Sequence, residues 1–216
     1  MTKRNELLQH LTRSILDLPA NNIVRVAIDG VDGAGKTVFG AELSQSLEPS
    51  GRQVIRASVD SFHNPRSIRY KLGASSPQGF FRDSYNYEAL VACLLRPLSP
   101  HGTRVFHKTA FDHRTDKAIL SAEEYAEPNA ILIFDGIFLH RPELRAYWDF
   151  SIFLDVDFGV SIPRGAQRGE GAADPSAPSN HRYVEGQKIY LSECNPKSQA
   201  TVIVNNKDLE NPYLVK

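Results

Sequence analysis

Residues 23–37, Ile23-Val24-Arg25-Val26-Ala27-Ile28-Asp29-Gly30-Val31-Asp32-Gly33-Ala34-Gly35-Lys36-Thr37, pass from an apolar, β-branched run into the pattern G-x-x-x-x-G-K-T. The run reads as a buried strand and the pattern as a phosphate-binding loop. Glycines let successive backbone N–H groups curl around an anion. Lys36 supplies a point charge for the β- and γ-phosphates, and the Thr37 hydroxyl suits Mg²⁺. A helix beginning at the loop would set its positive end under the same phosphates. Residues Gly30, Val31, Asp32, Gly33, Ala34, Gly35, Lys36, Thr37 and Val38 are therefore expected to hold a nucleotide.

Outward from the loop, Leu7, Leu8, Leu11, Ile15 and Leu16 recur at helical spacing, so an amphipathic helix is expected over 3–17, packed on a sheet edge. Val38, Phe39, Ala41, Leu43 and Leu47 continue the helix after the loop until Pro49-Ser50-Gly51 stops it. Residues 53–59 form a second strand. A β-α-β unit with the loop in its first turn implies a mostly parallel sheet, and the fold class expected is a three-layer α/β fold of the P-loop NTPase type with a small lid.

Ligands of such sheets bind at the carboxyl ends of the strands, which is where Asp60-Ser61-Phe62-His63 begins. Asp60 reads either as general base or orienter for an attacking hydroxyl, or as a residue capping a turn. His63 is a loop histidine or a substrate contact. Residues 64–85 read as a long polar loop whose end, Phe80-Phe81-Arg82-Asp83-Ser84-Tyr85, suits the wall of a small-molecule pocket, so Phe80, Arg82, Asp83 and Tyr85 are candidate acceptor contacts. A helix is expected over 87–95 and a strand over 103–111. After a polar turn that carries His113, a further acceptor candidate, residues 117–120 return as a paired strand. His107 and His113 lack companions at zinc spacing.

Ala130-Ile131-Leu132-Ile133-Phe134-Asp135-Gly136 is apolar throughout, as a strand buried on both faces should be, and ends in a carboxylate. This is the Walker B pattern, which places Asp135 opposite Thr37 at the metal; Asp60 is a third candidate there. A short helix is expected over 142–148 and a core strand over 150–156. Arg164 and Arg168, spaced i, i+4, can project from one helix face and close over a transferring phosphoryl group, or stand solvated on a surface helix. The Gly- and Pro-rich stretch 169–179 suits a lid connection. A helix over 182–194 and a strand over 200–204 complete the reading. The chain is read as one kinase-like domain, 1–216, with an acceptor-side excursion at about 61–120 and the lid at about 159–181.

In its 216 residues, 25 Lys and Arg balance 25 Asp and Glu, so no global field draws in nucleic acid or a membrane surface. Two cysteines build neither a disulfide framework nor a zinc cluster. No apolar segment approaches the roughly 20 residues that span a bilayer. A cytoplasmic protein without nucleic-acid or membrane partners is expected; composition leaves monomer or homo-oligomer open.

The order of parts, P-loop, Asp60-Ser61-Phe62-His63, Ile133-Phe134-Asp135-Gly136, a two-arginine segment and Val202-Ile203-Val204-Asn205-Asn206-Lys207-Asp208, resembles the uridine kinase/phosphoribulokinase family of P-loop kinases over nearly the whole chain. His63 stands where that family's Asp-x-Phe-Tyr motif has tyrosine, and Asp135 where it commonly has glutamate. The resemblance implies ATP and Mg²⁺ as cofactors and a small-molecule hydroxyl acceptor. Asp60 would be the catalytic carboxylate, Lys36, Arg164 and Arg168 its partners in phosphoryl transfer, and Asn205 to Asp208 the border of the adenine. A nucleoside is the first-choice acceptor. The segment Gly79 to Tyr85, with Asn64-Pro65 before it, is also similar to bacterial pantothenate kinase, which keeps pantothenate or a sugar-like alcohol as the alternative. A nucleotide-hydrolysing switch that binds a protein partner is the rival of another class.

Overall fold

A computed structural model describes residues 2–169 and 171–216. Helix α1 (Lys3–Leu16) is capped by Thr2, whose hydroxyl accepts the Asn5 N–H, and buries Leu7, Leu8, Leu11 and Ile15. Strand β1 (Val24–Gly30) is buried along its whole length and delivers the chain to the loop before α2 (Lys36–Leu47). Strand β2 (Val54–Ser58) follows. The stretch 64–85, expected as loop, holds two short helices, α3 (Arg66–Arg69) and α4 (Pro77–Asp83); α4 is capped by Ser76 and started by Pro77. The helix expected over 87–95 opens as α5 (Tyr87–Leu90) and widens into a π-helical turn over Val91–Leu95.

The strand expected over 103–111 breaks into β3 (Val105–Phe106) and β4 (Phe111–Asp112). β4 pairs back with β5 (Lys117–Ala118), as the polar turn between them suggests, and β3 pairs with β6 (Glu124–Tyr125). Next come β7 (Ile131–Asp135), buried throughout, and a single 3₁₀ turn at Arg145–Tyr147 where a longer helix was expected. β8 (Phe150–Asp155), α6 (Phe158–Gln167), α7 (His181–Cys194), α8 (Pro196–Gln199), β9 (Val202–Asn205) and β10 (Tyr213–Leu214) complete the chain.

The main sheet runs β10-β9-β8-β1-β7-β2, parallel except for the antiparallel edge strand β10. Alternation along its strands divides the core into two layers. Val26 and Ile28 of β1, with Ile131 and Ile133 of β7, pack under α1 and α2. Ala27, Leu132 and Phe134 face the other layer with Phe62, Phe80, Phe138 and Tyr190. Each large side chain taken out of water in this way contributes about 1.5–3 kcal/mol. α1 packs on α2 and β10, and among the described residues no helix is long and apolar enough to cross a membrane. Cys93 is half-buried, Cys194 buried, and both are free.

The register fixes the site. Ile28 and Ser58 both pair with Asp135, so the loop after β1, the turn after β2 and the acid ending β7 meet at one edge of the sheet.

Candidate active site

The loop after β1 closes on itself because its glycines take conformations that side chains resist. Gly33 has φ +73°, and a Cβ there would lie 2.0 Å from the Ser161 carbonyl oxygen of α6. Gly35, φ +91°, starts α2. Lys36 folds back over the loop, its ammonium donating to the carbonyls of Gly30 (3.0 Å) and Val31 (2.9 Å). Asp32, Gly33, Gly35, Lys36, Thr37 and Val38 line a 410 Å³ cavity with Asp60, Asp135 and Arg168. Gly30, Val31 and Ala34 lie behind that surface, buried in the loop's own fold.

The Thr37 hydroxyl donates to Asp135 Oδ2 at 2.9 Å, as the sequence pattern implies. The other oxygen of Asp135 carries an ion pair that the sequence reading missed, with Arg56 at 2.7 Å. An arginine inside the otherwise apolar run 54–57 was the available signal. Burial pushes the Asp135 carboxyl above its usual range, while Thr37 and Arg56 pull it back. Thr37, Asp135 and Asp60 offer hard oxygen donors around one cavity, the donor chemistry Mg²⁺ prefers when phosphates supply its remaining ligands.

Asp60 lies in a 3₁₀ turn, Val59–Phe62, and the turn is capped by Ser58, whose hydroxyl accepts the Asp60 N–H at 3.4 Å. The capping role open to Asp60 is therefore taken by Ser58. Asp60 lines both the phosphate cavity and a second, adjoining cavity of 440 Å³. Tyr85 donates its hydroxyl to Asp60 Oδ1 at 3.1 Å. Burial and the neighbouring Asp60 charge hold the Tyr85 phenol well above its ordinary pKa, so it remains a donor and Asp60 the acceptor.

His63, Phe80, Tyr85 and His113 all reach the second cavity, with the His63 and His113 rings 4.8 Å apart. Burial moves His63 below the usual imidazole pKa. Arg82 and Asp83 do not reach it, which corrects the sequence reading. α4 turns by about 100° per residue, so pointing Phe80 at the cavity sends Arg82 to solvent, while Asp83 pairs with Lys71, 3.2 Å away. Asn180 and Tyr183, unmarked by any motif, line the cavity instead.

The two arginines also part. α6 forms despite its internal Pro163, but it ends at Gln167, and Arg168 has φ −97°, ψ 9°. The i, i+4 geometry is lost at that point. Arg168 lines the phosphate cavity, whereas Arg164 donates to the carbonyls of Asn206, at 3.0 Å, and Lys207. Asn206 is fully buried and donates to the Ala34 carbonyl at 2.8 Å, so the stretch after β9 is tied to the loop.

A buried network sits behind the loop. Asp29 Oδ1 accepts the Gly30 N–H at 2.7 Å, and Oδ2 accepts from His140 Nδ1 at 2.6 Å and from the Tyr190 hydroxyl. Residues 29, 140 and 190 are far apart in sequence, and no local pattern announces their meeting.

A family model described as the Phosphoribulokinase / Uridine kinase family matches residues 25–171. The uridine kinase of Ligilactobacillus salivarius (strain UCC118) is 29% identical over 195 residues, 82% of this chain and 86% of that protein. Among solved structures, a possible uridine kinase from Bacillus stearothermophilus aligns with a TM-score of 0.73 at 24% identity, covering 92% of this chain and 97% of that one. D-glycerate 3-kinase from Cryptococcus neoformans var. grubii serotype A aligns with a TM-score of 0.58 at 14% identity, covering 97% and 98%. These structures share the fold.

Proposed function

The chain belongs to the phosphoribulokinase/uridine kinase family and is a small-molecule kinase, and from that premise we propose that it transfers the γ-phosphoryl group of ATP, with Mg²⁺, to a hydroxyl of a nucleoside-like metabolite. The observation that carries this reading is the junction at Asp60, a residue that lines both the phosphate cavity and the second cavity. The second cavity is then the acceptor pocket.

In the proposed mechanism, the loop amides and Lys36 hold the phosphates, and Thr37 and Asp135 are the residues that would hold Mg²⁺. The bound ion supplies charge neutralisation on the phosphates. Asp60 takes the proton of the acceptor hydroxyl as its oxygen attacks the γ-phosphorus and ADP leaves. Tyr85 orients the Asp60 carboxylate through its own hydroxyl. Arg168, at the phosphate cavity, neutralises charge that develops on the transferring group.

The parting of the two arginines gives an expected split. Arg168→Ala should lower kcat by about 10², the loss typical of one electrostatic stabiliser of a transition state, with a smaller change in the KM for ATP. Arg164→Ala, which frees the segment after β9, should act mainly on the KM for ATP. Steady-state kinetics on both variants check this, and a kcat loss confined to Arg164→Ala would reverse the assignments. The reading as a whole is tested by coupled ADP release over nucleosides, sugars and pantothenate with Mg-ATP. A nucleoside should raise turnover above water hydrolysis; a panel in which it does not would refute the nucleoside assignment.

A further inference from the structure

Both oxygens of the buried Asp135 carboxylate are held. Oδ2 accepts the Thr37 hydroxyl at 2.9 Å, and Oδ1 accepts from Arg56 Nη2 at 2.7 Å. The same Nη2 lies 3.5 Å from the Thr37 carbonyl oxygen. One guanidinium nitrogen therefore bridges the two residues assigned to Mg²⁺. Arg56 does not itself line the phosphate cavity, so any effect it has on a metal there passes through those two residues. We propose that Arg56 is a positioning residue of the metal site, which locks the Asp135 carboxylate against Thr37 so that Mg²⁺ tightens the bound nucleotide. This deepens the kinase reading and rests on it.

The fold makes a seat for this arginine. Gly40, buried in the interior of α2, faces the guanidinium, and a Cβ there would lie 2.6 Å from Arg56 Nη1 and 3.0 Å from Cζ and Nη2. Glycine in a helix interior is less favourable than alanine, and here it is what admits the arginine. Nε and Nη1 are buried without a hydrogen-bond partner, so the polar contacts of the group run through Nη2. Burying two nitrogens unsatisfied costs free energy, and the bond to Asp135 is what the placement secures. A carboxylate gripped at both oxygens cannot swing. Freed at Oδ1, it becomes a buried acceptor short of a partner and turns to find one, away from the orientation that meets Thr37. Partners that orient a metal ligand in this way are worth about 10–100-fold in metal affinity.

The test separates the metal from the nucleotide. Affinity for a non-hydrolysable ATP analogue is measured by calorimetry in Mg²⁺ and again in EDTA, on wild type, Arg56→Met and Gly40→Ala. Wild type should bind more tightly in Mg²⁺, and Arg56→Met should lose about tenfold or more of that gain while its affinity in EDTA stays within about twofold of wild type. Gly40→Ala removes no charge. Its added methyl displaces the flexible end of Arg56 from Asp135, so it too should lose Mg²⁺ gain, with no fall in Tm because alanine suits a helix interior better than glycine. If Arg56→Met does not fold, Gly40→Ala decides alone. A full Mg²⁺ gain in the folded variants, equal losses in Mg²⁺ and EDTA, or a wild type indifferent to Mg²⁺ would overturn the proposal. Failure of wild type to bind the analogue in either buffer would overturn the kinase reading itself, and this proposal with it.

Discussion

Asp60→Asn is expected to lower acceptor phosphorylation by about 10²–10⁴, the range for losing a positioned general base. Asparagine keeps an oxygen able to accept the Tyr85 hydroxyl, now 3.1 Å from Oδ1, so the turn and its cap on Ser58 should persist. The nucleotide, held by the loop, should bind nearly as before. Affinity for ATP and the rate of acceptor phosphorylation are therefore measured on one sample. Phosphorylation within about threefold of wild type, far below a general base's typical loss, would make Asp60 a turn residue and nothing more.

The second large effect is expected from Lys36→Ala. Its ammonium is the loop's point charge, and its contacts here are the carbonyls of Gly30 and Val31 within the same loop. Removing it should cost about 10² or more in kcat/KM, as loss of one preorganised charge at a phosphoryl site typically does. The side chain is only half-buried and packs in neither core layer, so the cost in stability should stay within about 1 kcal/mol. Thermal unfolding and kinetics on the same preparation separate the two. A folded Lys36→Ala protein with unchanged kcat/KM would remove the phosphate-binding assignment of the loop.

What the sequence made legible is what local chemistry determines. β1 and β7 are buried on both faces, and unbroken apolar runs announce such strands; their ends, Gly30 and Asp135, then fall at the same sheet edge. Thr37 meets Asp135 as the two motifs imply. What stayed hidden depends on distant partners. α3 and α4 are short helices steadied by Arg182, which reaches back over a hundred residues to carbonyls at Arg69, Gly73 and Ser76. Without them the segment reads as loop, and the phase of α4 that selects Phe80 over Arg82 cannot be assigned. The two-residue pairings of β3, β6 and β10 are too brief to leave a period. Gln187 reaches Asp32 across the fold, and a glutamine in a mixed helix carries no signal of its own. Arg56 is the exception, a charged residue in a strand whose oddity could have been read.

The central claim is that ATP cleavage here is transfer to a hydroxyl. It is tested most directly by counting ADP and phosphorylated acceptor, by chromatography and mass spectrometry, in one reaction with Mg-ATP and the best nucleoside of the panel. Equal amounts of the two products, with little ADP formed when the acceptor is left out, is the predicted result. ADP formed at the same rate with and without acceptor, and no phosphorylated product, would contradict it and favour a nucleotide-hydrolysing switch.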